Sequence, residues 1–504
     1  MERVVEAVRS ANELLVALVV LGLGVAVVVI VALYVADVTQ TQHAVRRNYP
    51  VIGRFRYGFE YLGDFFRQYF FALDREEMPF NRAQRGWIYR AAKNLDATVA
   101  FGSTRALRVP GELIFVNAAF PTLDEEALAV RPMVIGAGFC RVPYRHDALF
   151  NISAMSYGAL SAPAVRALSL GAAKAGCWLN TGEGGLAPHH LAGGCDLVFQ
   201  IGTAKYGVRD EAGRLDDDRL AALAAIPQVR MFEIKLAQGA KPGKGGILPA
   251  AKVTAEIAAI RGIEIGRDSL SPNRHPEIDS PDALLDVIAH VRAVGGKPTG
   301  FKTVFGDFAW FDTLCRRILE RGLAAAPDFI TVDSADGGSG AAPQSLIDYV
   351  GLPIQESLPM LVDRLTGFGL RDRIRVIASG KLVTPAEVAW ALCAGADYVN
   401  SARGFMFALG CIQAMQCNRN TCPTGITTHN PRLQRGLDPA DKAERVAHYV
   451  QGLNREVGIL AHSCGVPEPR ALTRAHCRLV QPDGRSRPMS EVFPPIGPPP
   501  PPQE

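Results

Sequence analysis

The chain has 504 residues, is 48% hydrophobic and is nearly charge-balanced, with 54 Lys and Arg against 50 Asp and Glu. That length suits one large core or two ordinary ones, because α/β barrels commonly take ~250 residues as a single domain. The charge balance excludes a generic polyanion binder. The ten cysteines, mostly scattered through apolar or Ala/Gly-rich stretches, exclude a secreted disulfide framework and point to reduced, buried thiols.

In chain order, a short charged segment (1–13) precedes Leu14 to Ala36, which carries no charged residue. At ~1.5 Å per residue this run covers a bilayer core of ~30 Å. A cleaved signal peptide has an apolar region of ~7 to 15 residues ending at a small-residue site. This run continues to Asp37 instead, so residues 14–36 are expected to form one transmembrane helix. Arg3 and Arg9 before it are offset by Glu2, Glu6 and Glu13, whereas Arg46, Arg47, Arg54 and Arg56 follow it. The positive-inside rule then places the body in the cytoplasm, on a single-pass anchor in the cell membrane.

Residues 37–120 open with arginines interleaved with Tyr49, Phe55, Tyr57, Phe59 and Tyr61. A basic and aromatic stretch fits single-stranded nucleic acid, but beside an anchor it fits the headgroup layer better, so a membrane and no nucleic acid is expected.

Residues 121–440 read as alternating strands and helices. Expected strands are Ile152 to Met155, Cys177 to Thr181, Met231 to Ala237, a poor one near Leu270, Gly300 to Val304, Phe329 to Asp333, Ile374 to Ala378 and Tyr398 to Ser401. Between them lie helical stretches such as APAVRALSLGAAKAG and TPAEVAWALCAGA, the latter with Thr384 as cap and Pro385 at its first position. Eight such units predict an α/β fold of the (β/α)8 TIM barrel class. A helical segment (441–493) and a proline-rich, extended tail (494–504) complete the chain.

In a barrel, the polar residues just past each strand share one mouth. Here they are Met155 and Ser156; Glu183 within NTGEGG; Lys235, Gln238 and Lys241; and Lys302. Singly these are ordinary turn glycines and solvated lysines. Together they would gather charges on one rim, which is costly without a ligand. Glycine clusters follow in Asp336, Gly337 and Gly338, around Gly380, and beside Ala402 and Arg403. Glycine lets backbone N–H groups converge on an anion, and the loops after strands seven and eight commonly hold a phosphate.

Cys411, Cys417 and Cys422 are separated by five and four residues, and Cys422 precedes a proline. Three thiolates fit an iron-sulfur group. Zinc with His429 as a fourth ligand, a disulfide, and inert buried thiols are the alternatives.

The chain resembles the synthase domain of glutamate synthase over roughly residues 120 to 440, through ISAMSYGALS, NTGEGG, EIKLAQGAKPGKGGILP, DGGSGAAP and the cysteine run, in that order. The resemblance implies FMN and a [3Fe-4S] cluster on Cys411, Cys417 and Cys422. It implies FMN-binding by Met155, Ser156, Lys302, Asp336, Gly337, Gly338, Gly380, Ala402 and Arg403. It implies catalysis by Glu183, Lys235 and Lys241, with Gln238, Lys241 and Arg261 holding a 2-oxoglutarate-like dicarboxylate. The implied activity is that of an oxidoreductase acting on CH-NH2 donors, reducing 2-iminoglutarate to glutamate with electrons from a ferredoxin or reductase subunit.

Three departures bear on substrate and partners. The chain begins Met1-Glu2 where a glutaminase domain with an N-terminal cysteine is usual, so nitrogen would come as ammonia, an amine, or from a separate glutaminase. Lys244 stands where an acidic residue is expected, and Ser379 where an aspartate is. A type 2 isopentenyl diphosphate isomerase-like FMN enzyme would have no use for the cysteine run. A non-catalytic membrane electron-transfer subunit would have no use for the lysine, glutamine and arginine set.

Overall fold

The computed structural model describes residues 1–494, apart from the side chains of residues 64 and 65, so the expected tail beyond Pro494 lies outside the described residues. The chain divides into two units, Met1–Arg82 and Ala83–Glu504.

The first unit opens with a helix, Glu2–Thr39, that is long and apolar enough to cross a membrane. It is longer than the 14–36 stretch because the charged residues on either side are compatible with a helix and no breaker intervenes. Near its end Asp37 is 1% exposed and accepts hydrogen bonds from Arg54 Nε at 2.8 Å and Val51 N at 2.9 Å. This carboxylate folds the chain back onto the helix end, past the short helix Ala44–Asn48 and before the helix Gly53–Phe66, whose Phe55 and Phe59 are exposed.

The second unit is built on eight parallel strands that close into a barrel in sequence order. They are β1 (Phe150–Ile152), β2 (Leu179–Asn180), β3 (Leu197–Ile201), β4 (Val229–Lys235), β5 (Thr299–Val304), β6 (Phe329–Asp333), β7 (Arg375–Ser379) and β8 (Tyr398–Ser401). The predicted architecture is therefore present, but one stave differs. Ser269–Leu270 pairs antiparallel with Ile247–Leu248 outside the barrel. The third stave is instead LVFQI at 197–201, buried at all five positions and bounded by Gly193-Gly194 and Gly202.

Local chemistry sets the helices between staves. Ser161 caps Ala162–Ala175 by accepting from Ala164 N, and Gly176 ends it in the left-handed region at φ 69°. Thr384 and Glu387 form a capping box on Pro385–Cys393, as the Thr-Pro start predicts. The segment after residue 440 carries a long helix, Pro439–Ser463, and a short one, Met489–Val492; between them Cys477–Val480 and Ser486–Pro488 pair in a small sheet with Leu113–Phe115.

The barrel interior has a closed end and an open one. Trp178, Phe329 and Tyr398, at strand starts, cluster with Ile135 and Tyr144 of a short hairpin. Midway, Glu233 is 1% exposed and accepts from Asn180 Nδ2 (2.8 Å), Gln200 Nε2 (2.7 Å) and Thr331 Oγ1 (2.6 Å), tying β2, β3, β4 and β6. Strand residues two apart share a face, so Lys235 lies one layer above Glu233, at the strand ends where the loops gather.

Candidate active site

Three loops build one side of the mouth. Glu183, in the turn after β2, forms an ion pair with Lys235 Nζ at the end of β4, at 3.0 Å. Burial pushes the Glu183 carboxyl up, but Lys235, Lys241 and Arg261 outweigh it and hold the group at about 2. Lys235 Nζ also donates to Gln238 Oε1 at 3.0 Å, and Gln238 Nε2 donates to Gly338 O at 2.7 Å, which links this side to the loop after β6.

Lys241 is 4% exposed and is pushed down to about 8, by burial first and by Lys235 second. Arg261 closes the helix Ala255–Arg261 and is 6% exposed. Its two terminal nitrogens donate to Ser269 Oγ (3.3 Å) and Tyr157 O (3.2 Å), while its buried Nε has no hydrogen-bond partner among the described residues. Its guanidinium lies 5.2 Å from the Tyr206 ring centre. The loop carrying Gln238 and Lys241 passes so close to β6 that a Cβ on Gly239 would lie 1.6 Å from Ser334 O.

The opposite side comes from β5 to β8. Lys302 Nζ pairs with Asp333 Oδ2 at 3.3 Å, and that oxygen also accepts from Gly239 N at 3.0 Å. Asp336 accepts from Ser334 Oγ, pairs with Lys381 Nζ at 3.0 Å and offers its carbonyl to Arg403 Nη2 at 2.9 Å. Burial lowers Arg403 to about 10. Gly337 N donates back to Ser334 O at 2.8 Å. Gly380 has φ +111°, and a Cβ there would lie 2.4 Å from the Ser334 Cβ; one on Gly338 would lie 2.7 Å from Arg403 Nε. A cradle that admits no side chain, with a buried guanidinium beside it and Ala402 as the cap of the helix Arg403–Leu409, fits a phosphate.

At the rim between these sides Met155 N donates to Asn180 O at 3.0 Å and Met155 O meets His190 Nε2 at 2.9 Å, which fixes the loop holding Ser156. All three cysteines lie on one irregular loop after Gly410, with Gln413, Met415 and Asn420 at positive φ. Gln413 N donates to Cys411 Sγ at 3.4 Å, and Thr424 Oγ1 lies 3.3 Å from Cys422 Sγ. Burial raises Cys411 to about 12, whereas for Cys422 the bonds from Thr424 and Thr427 overcome burial and lower it.

Three thiols on one loop, two of them with hydrogen-bond donors at sulfur, are the donor chemistry of a thiolate-bound group, but among the described residues no three His, Cys, Asp or Glu side chains come together as a group that could hold a metal ion. His429 Nε2 is engaged with Gly158 O at 2.8 Å.

Two groups escaped the sequence reading. His275, 2% exposed, places Nε2 3.0 Å from Lys235 O, and Glu277 beside it pairs with Lys205 at 3.0 Å. Lys252 is buried under the cysteine loop. A histidine and glutamate two apart in the loop before the Pro281–Gly295 helix was the available signal for the first. For Lys252 there was none, since a lone lysine in LPAAKV reads as solvated.

Comparison with known proteins agrees with this arrangement. The conserved region in glutamate synthase matches residues 120–467. A glutamate synthase large subunit-like protein of Bacillus subtilis is 39% identical over 94% of this chain and 97% of its own length. An archaeal glutamate synthase [NADPH] of Methanocaldococcus jannaschii is 35% identical over 66% of this chain and 62% of its own length. An archaeal-type enzyme of Thermotoga maritima is 33% identical over 62% and 59% respectively, so the chain spans about three fifths of these two relatives. With the motifs in order and the family's region covering most of the barrel unit, the chain belongs to the glutamate synthase family.

Proposed function

We propose that the protein is a membrane-anchored FMN and iron-sulfur oxidoreductase that reduces a 2-imino acid, formed from 2-oxoglutarate and ammonia or an amine, to an amino acid such as glutamate. One observation carries this reading: the mouth surrounds a single carboxylate, Glu183, with three cations, Lys235, Lys241 and Arg261. The excess of two positive charges in a desolvated site matches a dicarboxylate. The family's activity, as the relatives' names give it, supplies the rest.

Arg261, whose Nε lacks a partner, and Lys241 clamp the two carboxylates, and Gln238 orients the substrate between them. Glu183, ionised at neutral pH, pairs with Lys235 and holds it in place. Lys241, at about 8, holds a proton that it can release near neutrality, as a general acid requires. When bound, the flavin supplies a hydride equivalent to the C=N carbon and the cluster supplies single electrons. Met155, Ser156, Lys302, Asp336, Gly337, Gly338, Gly380, Ala402 and Arg403 hold the flavin, and Cys411, Cys417 and Cys422 the cluster.

The helix Glu2–Thr39 anchors the protein, and the arginines that follow it keep the catalytic body cytoplasmic. A ferredoxin or reductase subunit delivers electrons, and free ammonia or a separate glutaminase delivers nitrogen.

The test is anaerobic. Full-length protein in detergent, reduced with dithionite and freed of excess, is mixed with 2-oxoglutarate and ammonium, and the flavin spectrum and glutamate are followed together. Flavin reoxidation that depends on both additions and yields glutamate is expected. A flavin that stays reduced, or protein that carries neither flavin nor iron, overturns the reading.

A further inference from the structure

Lys252 ends the turn Ala250–Lys252 that follows the Gln238 and Lys241 loop, and it is 2% exposed. Its Nζ donates to two backbone carbonyls: Ala159 O at 2.7 Å, in the loop that follows Met155 and Ser156, and Cys417 O at 3.1 Å, in the cysteine loop. Neither acceptor carries a charge. Among the described residues Lys252 forms no ion pair; burial, the largest influence, disfavours its charged form, Cys417 and Cys422 act against that and Arg261 adds to it.

A buried cation without a counter-charge is among the costlier arrangements a protein can hold. A lysine stem can usually carry its ammonium to solvent, yet here the ammonium is turned inward. Its position makes sense once something anionic occupies the sulfur side.

Resting on the iron-sulfur reading above, we infer that Lys252 is the counter-cation and positioning residue of the thiolate-bound group, raising its reduction potential and pinning the cysteine loop to the loop on the flavin side of the mouth. Net charge and hydrogen bonding around the sulfurs are the protein's means of setting such potentials. No bond forms or breaks at the lysine. One electron enters the iron group from an external one-electron donor, and the fixed ammonium offsets the added negative charge.

The experiment uses full-length protein in detergent, purified without oxygen, as wild type, Lys252→Arg and Lys252→Met. Iron and sulfide are assayed first, and the iron signal is then titrated by electron paramagnetic resonance with dithionite and mediators. At the wild-type midpoint, Lys252→Met is expected to show a reduced-to-oxidised ratio about tenfold lower, equivalent to ~59 mV for a one-electron couple. Lys252→Arg is expected to stay within about twofold. If Lys252→Met loses iron while Lys252→Arg keeps it, the charge is required for assembly and the inference stands. An unchanged midpoint in iron-replete Lys252→Met overturns it, as does equal iron loss in both variants, which would leave only the shape of the stem. Iron-free wild type overturns the functional reading itself, so the two failures are told apart.

Discussion

The two sides of the barrel mouth are built by different means. On the side of β2 to β4 the charges belong to side chains locked against one another, Glu183 on Lys235 and Lys235 on Gln238. On the side of β6 to β8 the decisive feature is backbone geometry, with Gly380 and Gly338 leaving no room for a Cβ and Arg403 filling the space behind them. The first arrangement is electrostatic and depends on the one carboxylate, Glu183, staying among its cations. The second is steric and depends on a backbone conformation, so damage to the two sides should look different.

The largest effect falls on the electrostatic side. Glu183→Ala leaves Lys235 and Lys241 facing each other in a mostly buried site without their carboxylate. Removing one partner of a buried ion pair costs about 3 kcal/mol, read by urea unfolding of the full-length protein. Acid reports the same group. The carboxyl's ordinary value is 4.5 and the folded value about 2, so its contribution is complete above 4.5 and is lost as pH falls toward 2. The acid limb should be shallower in Glu183→Ala.

On the steric side, Gly380→Ala places a methyl against Ser334 at a φ of +111°. Strain of this kind costs ~1–3 kcal/mol, and here it should appear as loss of flavin on gel filtration while the secondary structure persists. Lys381→Ala, which removes only the partner of Asp336 at 3.0 Å, should retain flavin better. If the two variants lose flavin equally, the cradle works by charge and the contrast between the sides fails.

These two sides were unequally legible in the sequence. Lys235, Gln238 and Lys241 follow an apolar run and so announce themselves as polar groups at a strand end. The same logic misplaced one stave. Leu270 sits between serines and reads as a short strand of the barrel, whereas its ladder partner is Ile247, in the loop that follows Lys241. LVFQI, buried on both faces, shows no alternation, and periodicity alone cannot separate such a run from a buried helix. Contacts between distant loops were least legible, because Lys252 finds the carbonyls of Ala159 and Cys417 only through the closure of the barrel. The cysteine spacing put three thiols on one loop, but did not show the hydrogen bonds from Thr424 and Thr427 that overcome burial at Cys422.

A smaller effect separates binding from stability on the electrostatic side. Lys241 falls from an ordinary 10.5 to about 8 in the folded protein. Between those values the unfolded chain keeps a proton that the folded one has shed, so stability rises with pH across this window. Binding of 2-oxoglutarate runs the other way, since the clamp loses its charge, and Kd should rise by up to about tenfold per pH unit above pH 8. Calorimetric Kd and denaturant midpoints measured from pH 7 to 10 should therefore diverge. In Lys241→Met the divergence should vanish.

The smallest effect tests whether the electrostatic side is local or reaches the surface. Lys244 lies three residues beyond Lys241 on the same loop, but it is exposed and makes no ion pair among the described residues. Water and salt screen it, with a Debye length of ~10 Å at 0.1 M, whereas the buried cations of the mouth are screened far less. Lys244→Glu replaces a cation by an anion near the entrance. Exposed charges of this kind are worth ~0.2–1 kcal/mol, so the KM for 2-oxoglutarate should rise by no more than about fivefold, and the difference should fade as salt is raised to about 0.5 M. Arg261→Met should keep its defect at the same salt, because that guanidinium is 6% exposed. A salt-resistant Lys244→Glu defect would place residue 244 inside the binding site and extend the side-chain grip beyond the three cations that surround Glu183.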